Sequence, residues 1–224
     1  MKALVVGATG LIGAQLVQEL LADDAWQAVT VFARRPLPLE HEKLTVVEVD
    51  FARLSDYSEY FAVDAVFSCL GTTLASAGSK AAFRVVDYDY NYQLAELAAQ
   101  ENASHFLLVS AYGAKQKSLF FYSRVKGELE AAIVSLPLER VTFMQPSLLL
   151  GQREERRLAE QAAGRVANII RPLWRKAKAP WWPIEANNVA VAMAKAATTP
   201  MLYRVEHWQY ADIMAAVDNN EKEK

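Results

Sequence analysis

Short apolar runs alternate with amphipathic stretches along the first 150 residues of the chain. The apolar runs are rich in Val, Leu, Phe and Ala, as strands buried on both faces of a sheet are. They cover Ala3–Val6, Ala28–Ala33, Leu44–Val49, Ala65–Leu70, Phe106–Val109 and Val141–Met144. The stretches between them show helical patterns, at Leu11–Leu21, Ser55–Phe61, a long segment that Ser79 can cap, and Tyr122–Val134. This alternation predicts an α/β fold with a doubly wound parallel sheet.

The alternation weakens after Pro146. The remaining sequence predicts two helices, a last strand and a frayed tail, at Arg153–Lys178, Asn187–Ala197, Leu202–Val205 and Glu221–Lys224. No linker or second core separates these elements from the rest. We therefore predict a single domain over residues 1–224, in which residues 151–224 mainly form a small helical cap over one end of the sheet.

Composition restricts the class of protein. The 224 residues carry a net charge of −2 and a pI near 6.0, whereas a chain that neutralises a nucleic-acid backbone is strongly basic. The single cysteine, Cys69, excludes an internal disulfide, and the histidines lack metal-ligand spacing. No apolar stretch reaches the roughly 18 residues of a membrane span, and no signal-peptide pattern follows Met1. We expect a cytoplasmic protein that binds no nucleic acid, holds no metal and does not span a membrane.

Three glycines follow the first apolar run at regular spacing. Gly7, Gly10 and Gly13 lie between the first predicted strand and the first predicted helix. Glycines in this pattern allow a tight turn, close approach of the backbone to a pyrophosphate and close helix–strand packing. The amino terminus of the helix adds free N–H groups and a positive dipole end. The pattern favours a dinucleotide site over a glycine-rich turn without a ligand. Its expected contacts are Gly7, Thr9, Gly10, Leu11 and Ile12.

The residues after the second strand indicate which dinucleotide binds. NAD sites place an acid about 20 residues beyond the glycines, where it bonds the ribose 2′-hydroxyl; this chain has Arg34 and Arg35 instead. Guanidinium groups pair with a 2′-phosphate through bidentate charged hydrogen bonds. We therefore expect NADP(H), the alternative being that both arginines only face solvent. After the third strand, Asp50 and Phe51 are placed to flank the adenine, although Asp50 could instead cap the next turn.

A tyrosine and a lysine stand four residues apart in the helix after the fifth strand. Tyr122 and Lys126 therefore lie on one helical face. An ammonium near a phenol stabilises the phenolate, which eases proton transfer near neutral pH, and Lys126 could also hold the nicotinamide ribose. Ser110, twelve residues before the tyrosine, is the candidate hydroxyl for polarising a substrate oxygen.

These motifs together resemble the short-chain dehydrogenase/reductase superfamily, in its atypical or extended branch. Four segments resemble the small NADP-binding oxidoreductases related to human Tat-interacting protein: Arg34–Arg35, Cys69–Thr73, Ser110–Ala114 and Tyr122–Glu128. The resemblance covers roughly residues 1–150 and implies a Rossmann fold, NADP(H) and a Tyr/Lys/Ser active site. It implies cofactor contacts at Leu70, Gly71, Thr72, Lys126 and Leu148.

Two positions depart from that family pattern. Ala111 replaces the second member of a common Ser-Ser pair, and Asp87 stands where extended members often have Asn. A proton relay through that asparagine is therefore not carried over to this chain.

The resulting hypothesis is an NADP(H)-dependent oxidoreductase that transfers a hydride between nicotinamide and a small carbonyl or alcohol, as a monomer or homodimer. Tyr122 would be the acid/base, with Lys126 and Ser110 assisting, and the cap would cover the substrate. Two alternatives stay open. One is an NADP(H)-sensing binding protein with little turnover, and the other is an enzyme related to sugar-nucleotide epimerases or dehydratases, for which the chain is short.

Overall fold

Seven parallel strands form the central sheet in the part of the chain that the structure describes, residues 1–150 and 181–223. In this computed structural model the strands are β1 (Lys2–Val6), β2 (Ala28–Ala33), β3 (Leu44–Glu48), β4 (Ala65–Ser68), β5 (His105–Val109), β6 (Val141–Met144) and, after two shorter strands, β9 (Val205–Trp208). Their order is β3–β2–β1–β4–β5–β6–β9, and each neighbouring pair is parallel. The predicted doubly wound sheet is confirmed.

Helices cover both faces of this sheet. They are α1 (Leu11–Ala22), a 3₁₀ segment (Phe51–Phe61), α2 (Leu74–Ala77), α3 (Lys80–Arg84), a π-helical segment (Val85–Asp89), α4 (Tyr90–Gln100), α5 (Phe121–Val134), α6 (Ala186–Thr198) and α7 (Tyr210–Glu223). Ser79 caps α3 as predicted, since its hydroxyl accepts the N–H of Ala82 at 3.1 Å. The long helix expected after Ser79 is interrupted by the π-helical segment, which hydrophobic spacing alone does not reveal.

Strand β1 shows how the sheet is buried on both faces. Side chains alternate along a strand, so Ala3 and Val5 pack into the cluster formed with α1 and α6, whereas Leu4 and Val6 pack into the cluster formed with α4 and α5. All four are at most 1% exposed. This double burial explains why the strands are continuous apolar runs in the sequence.

The described C-terminal residues add a strand and two helices to the sheet, and the expected cap stays a prediction. The last strand, β9, pairs with β6 from Val205 onward and so lies mostly beyond the predicted run Leu202–Val205. Helix α6 packs against α1, and α7 packs against α6 through the buried Ile213. The described part of the segment therefore completes the sheet domain. The predicted helix Arg153–Lys178 lies outside the described residues.

Two short strands join the segments on either side of that gap. Strands β7 (Leu149–Leu150) and β8 (Ile184–Glu185) are parallel.

Over residues 1–150 and 181–223, no helix has the length and apolar character to cross a bilayer. In the same residues no three His, Cys, Asp or Glu side chains are grouped as metal ligands.

Candidate functional site

The site begins where the strand order changes direction, between β1 and β4. The chain leaves β1 toward β2 and leaves β4 toward β5, so the loops after these strands diverge and leave a crevice at their carboxyl ends. Gly7, at the end of β1, has φ +90°. A Cβ on Gly7 would lie 2.6 Å from the carbonyl oxygen of Cys69. The glycine loop and the loop after β4 are therefore in direct backbone contact.

The glycine loop leaves the amino terminus of α1 open. Gly10 is the N-cap residue, and no side chain caps the helix. Thr9, Gly10 and Leu11 are exposed, whereas Ile12 is buried. Helix N–H groups without a side-chain partner, at the positive end of the dipole, suit a pyrophosphate. A Cβ on Gly13 would lie 2.3 Å from the carbonyl oxygen of Gly7, so that glycine permits close packing of helix on loop. The loop thus fits a dinucleotide.

Arg34 and Arg35 follow β2, the strand next to β1 in the sheet. Both are exposed, and no acidic side chain within the described ranges forms a salt bridge with either. Their guanidinium groups are accordingly available to an anionic ligand at this edge of the crevice.

Asp50 and Phe51 have structural partners. The Asp50 carboxylate accepts the N–H of Ala52 at 2.9 Å and so caps the 3₁₀ segment. Phe51 is 8% exposed, and its ring centroid lies 5.4 Å from that of Tyr90. The expectation that both residues flank the adenine stays a prediction.

A buried ion pair lies beneath the loop after β4. Lys126 Nζ is 2.9 Å from Asp87 Oδ1, and both side chains are at most 3% exposed. The other carboxylate oxygen, Asp87 Oδ2, accepts the N–H of Thr72 at 2.8 Å. A Cβ on Gly71 would lie 3.3 Å from Asp87 Oδ1 and 3.9 Å from Lys126 Nζ. Leu70 is fixed to the same region, because its carbonyl accepts from Asn91 at 3.3 Å.

Tyr122 lies in the first turn of α5, one turn before Lys126. Its side chain is 41% exposed, and its ring packs against Phe83 at a centroid distance of 5.8 Å. A phenol that is half-exposed, on the same helical face as a buried ammonium, can exchange a proton with a molecule entering from solvent.

Ser110 is directed toward a different partner. Its hydroxyl donates to the buried Glu130 carboxylate. Gln145 donates to both oxygens of that carboxylate, at 3.0 and 3.1 Å, and His207 Nε2 lies 3.6 Å away. The structure therefore places Ser110 just after β5, in a network between α5 and the ends of β5 and β6, and its expected role toward a substrate stays a prediction.

Leu148 and Cys69 follow β6 and β4 at the carboxyl ends of the strands. Leu148 is 56% exposed beyond the end of β6, and its carbonyl accepts the N–H of Ile184 at 2.9 Å. Burial raises the pKa of the Cys69 thiol to about 12, which disfavours the thiolate at neutral pH.

Sequence reasoning missed the roles of Asp87 and Glu130. Glu130 stands four residues after Lys126, so Tyr122, Lys126 and Glu130 form one helical stripe, and that spacing could have revealed it. Asp87 had a weaker signal, an acid within a long predicted helix that otherwise turns apolar side chains inward.

A family model described as NAD(P)H-binding matches residues 7–160. Protein HTATIP2 of Rattus norvegicus is 37% identical over 77% of this chain and 73% of its own length. Protein FMP52, mitochondrial, of Debaryomyces hansenii is 32% identical over 90% of this chain and 89% of its own length. These relatives confirm the resemblance drawn from the sequence.

Solved structures agree with this fold. MoeE5 in complex with UDP-glucose and NAD is 16% identical, with a TM-score of 0.67 over 99% of this chain and 82% of that one. UDP-glucuronic acid 4-epimerase from Bacillus cereus, in complex with UDP-glucuronic acid and NAD, is 15% identical, with the same score over 99% and 83%. At such identities the similarity shows the Rossmann-type fold alone.

The names of the sequence relatives contradict the expected cytoplasmic location, which is wrong. The relatives from Debaryomyces hansenii, Scheffersomyces stipitis and Coccidioides immitis are all named mitochondrial proteins. Composition and the absence of a signal-peptide pattern therefore gave the wrong compartment.

From the family model and these relatives together, the chain belongs to the NAD(P)H-binding family.

Proposed function

We propose that the protein is an NADP(H)-dependent oxidoreductase acting on a small carbonyl or alcohol. The observation that carries the proposal is a continuous series of close contacts from the glycine loop to the lysine of the Tyr-x-x-x-Lys motif. Gly7 approaches Cys69, and Gly71 approaches both Asp87 and Lys126. A dinucleotide with its pyrophosphate on the glycine loop would thus extend along these residues toward α5.

The protein groups have separate tasks in this proposal. When bound, the nicotinamide supplies or accepts the hydride. Tyr122 gives the proton to the substrate oxygen in reduction and removes it in oxidation, while the nearby Lys126 ammonium stabilises the phenolate and donates to a ribose hydroxyl. We assign the single hydroxyl proton of Ser110 to Glu130, because that bond already uses it.

The preference for the phosphorylated cofactor rests on Arg34 and Arg35. Both are exposed beside the glycine loop, and neither forms a salt bridge with another described residue. A 2′-phosphate offers them paired acceptor oxygens, whereas a 2′-hydroxyl does not.

Oxidation of NADPH against a panel of aldehydes and ketones tests the activity. With a substrate that turns over, Tyr122→Phe should lower turnover by about 10²-fold or more, the lower end of the range for general acid–base catalysis. The affinity for NADPH should change little, because Lys126 and the glycine loop remain. Near-normal turnover by Tyr122→Phe in a folded protein would refute the assigned mechanism.

An NADP(H)-sensing protein with little turnover is the second candidate. It is favoured by one observation, that both Ser110 and Lys126 are bonded to internal carboxylates. Tight NADPH binding without oxidation against any carbonyl of the panel would support this alternative over the enzyme.

A further inference from the structure

We infer that Asp87 is a positioning residue that joins the catalytic helix to the cofactor loop and thereby sets cofactor affinity. The inference rests on the proposed function, because it takes Lys126 as the donor to the ribose of NADP(H). Asp87 itself acts through two groups, the ammonium of Lys126 and the backbone N–H of Thr72.

The carboxylate bridges two parts of the molecule that are distant in sequence. Oδ1 holds Lys126 of α5 at 2.9 Å, and Oδ2 holds Thr72 of the loop after β4 at 2.8 Å. A third contact on the lysine is longer, since the carbonyl oxygen of Val109 lies 3.5 Å from Nζ. The short contacts therefore fix the lysine relative to the loop, and Asp87 makes both of them.

The ion pair between Asp87 and Lys126 is important because both side chains are buried. The side chains of Asp87 and Lys126 are 2% and 3% exposed. A buried ammonium without its counter-charge would be strongly disfavoured and would move toward water or lose its proton. Asp87 therefore holds Lys126 in place before a cofactor arrives, so less ordering is needed on binding.

Only a carboxylate can satisfy both partners. The ammonium of Lys126 and the N–H of Thr72 are both donors, and an ionised Asp offers two acceptor oxygens. An asparagine at this position has one acceptor oxygen and one donor nitrogen. Its oxygen could accept from Lys126 or from Thr72, and its nitrogen would then face the other of these two donors. This is a physical reason for the Asp at position 87 where extended members of the superfamily often have Asn.

The local backbone supports the same role. Asp87 is the central residue of the π-helical segment Val85–Asp89 between α3 and α4. A π-helical turn inserts a residue into a helix and changes the direction of the side chains, and such turns are frequent at functional sites. Asn91 holds this turn against the loop, as its amide donates to the carbonyls of Val86 at 2.9 Å and Leu70 at 3.3 Å.

The test is a titration of the whole chain with NADPH, followed by fluorescence or calorimetry. Asp87→Asn should raise the Kd by about tenfold or more, as expected for a lost charge-assisted hydrogen bond, with full binding stoichiometry. A merely structural role would instead lower the stoichiometry and leave the Kd of the folded fraction unchanged. The matched control is Asp89→Asn, the same chemical change at an exposed position of the same segment, which should alter the Kd by less than about twofold.

A double-variant cycle separates action through Lys126 from other effects. In a Lys126→Met background, Asp87→Asn should change the Kd by less than about threefold, because the partner is gone. The double variant, without cofactor, should also unfold at a higher temperature than Lys126→Met alone, which leaves a buried carboxylate without its ion-pair partner. If Asp87→Asn alone does not fold, this comparison of melting temperatures still tests the buried ion pair on which the inference depends.

Three results would overturn the inference. They are an unchanged Kd in folded Asp87→Asn, an equal effect of this change in both backgrounds, or a double variant no more stable than Lys126→Met. A wild-type protein that does not bind NADPH would refute the proposed function and this inference together, which distinguishes that failure from the other three.

Discussion

Ser110 and Glu130, twenty residues apart in the chain, share a buried hydrogen bond between the end of β5 and helix α5. Gln145, just beyond β6, donates to the same carboxylate at 3.0 and 3.1 Å. Glu130 therefore joins two adjacent strands to the helix that carries Tyr122 and Lys126. Because a hydroxyl has one proton, Ser110 cannot donate to a substrate while it donates to Glu130.

Ser110→Ala should therefore affect stability more than chemistry. Removing a hydrogen bond to a buried carboxylate should lower the free energy of unfolding by about 1–3 kcal/mol. Turnover per folded molecule should stay within about tenfold of the wild type, below the usual range for a lost acid–base group. Denaturant unfolding and steady-state kinetics measure the two effects, with the exposed Ser55→Ala as control. A loss of about 10² in turnover would show that the hydroxyl turns toward the substrate in the reaction.

Two glycines of the phosphate loop should have different tasks. Gly10 has φ −81°, and its added Cβ would approach only the carbonyl oxygen of Gly7, at 3.2 Å. A side chain there is compatible with the fold but projects where phosphates would lie, so Gly10→Val should abolish NADPH binding with little change in melting temperature. The Cβ of Gly13 would lie 2.3 Å from the same oxygen. Gly13→Ala should therefore destabilise the fold by about 1–3 kcal/mol through overpacking.

Thermal unfolding and NADPH titration of both glycine variants separate these effects. The reverse pattern, with Gly10→Val unfolded and Gly13→Ala as stable as the wild type, would contradict the assignment. The spacing of the glycines in the sequence predicts these two tasks, but the distances that separate them depend on which backbone atoms surround each Cβ.

Cofactor choice should depend on Arg34 and Arg35. We expect NADPH to bind at least about tenfold more tightly than NADH, since one charge-assisted contact contributes about 1.5–3 kcal/mol. Replacing both arginines by alanine should weaken NADPH binding and leave NADH binding nearly unchanged. Lys2→Ala, which removes an exposed positive charge at the amino-terminal end of β1, away from the crevice at the carboxyl ends of the strands, is the control. Equal affinities of the wild type for NADPH and NADH would contradict the assignment.

The sequence predicted the sheet well because most of its strands are buried on both faces. Strands β2 and β6 have the predicted bounds, and β1, β3, β4 and β5 agree within two residues, whereas the two-residue strand β7 was not predicted. Helix α7 was missed although Tyr210, Ile213, Met214 and Val217 have the spacing of one helical face. The stripe is short, because the helix is polar from Asp218 onward, and its fully buried residue, Ile213, packs only in the presence of α6.

Some residues of the site could likewise be predicted from the sequence, and others could not. The glycine loop and the pair Tyr122 and Lys126 are recognisable because their geometry follows from local spacing. Asp87 and Glu130 meet their partners, Lys126 and Ser110, through tertiary contacts. The spacing of Glu130 after Lys126 places it on the same helical face, but local spacing does not identify the partner of either acid. The capping role of Asp50 was one of two alternatives that the sequence left open.

A buried histidine should make stability depend on pH. His105 begins β5, is 1% exposed, and shares a hydrogen bond of 2.8 Å with Thr142. Burial, with a smaller contribution from the charge of Arg140, lowers the pKa of His105 from 6.5 to about 3. Between these values the unfolded chain binds a proton that the folded chain does not. The free energy of unfolding should therefore fall as the pH decreases below 6.5, with a slope that approaches about 1.4 kcal/mol per pH unit.

His105→Asn should flatten that slope. Asparagine retains a hydrogen-bonding group toward Thr142 but does not titrate, so the unfolded state gains no extra proton at this position. Urea unfolding at several pH values from 7 to 4 measures the slope in the wild type and in the variant; a lower stability of the variant at pH 7, from its smaller side chain, does not affect the comparison. Other groups also titrate in this range, and the exposed His41→Asn controls for the loss of a histidine as such. It should keep the wild-type slope, and a His105→Asn variant with that same slope would show that the folded protein accepts the proton at His105.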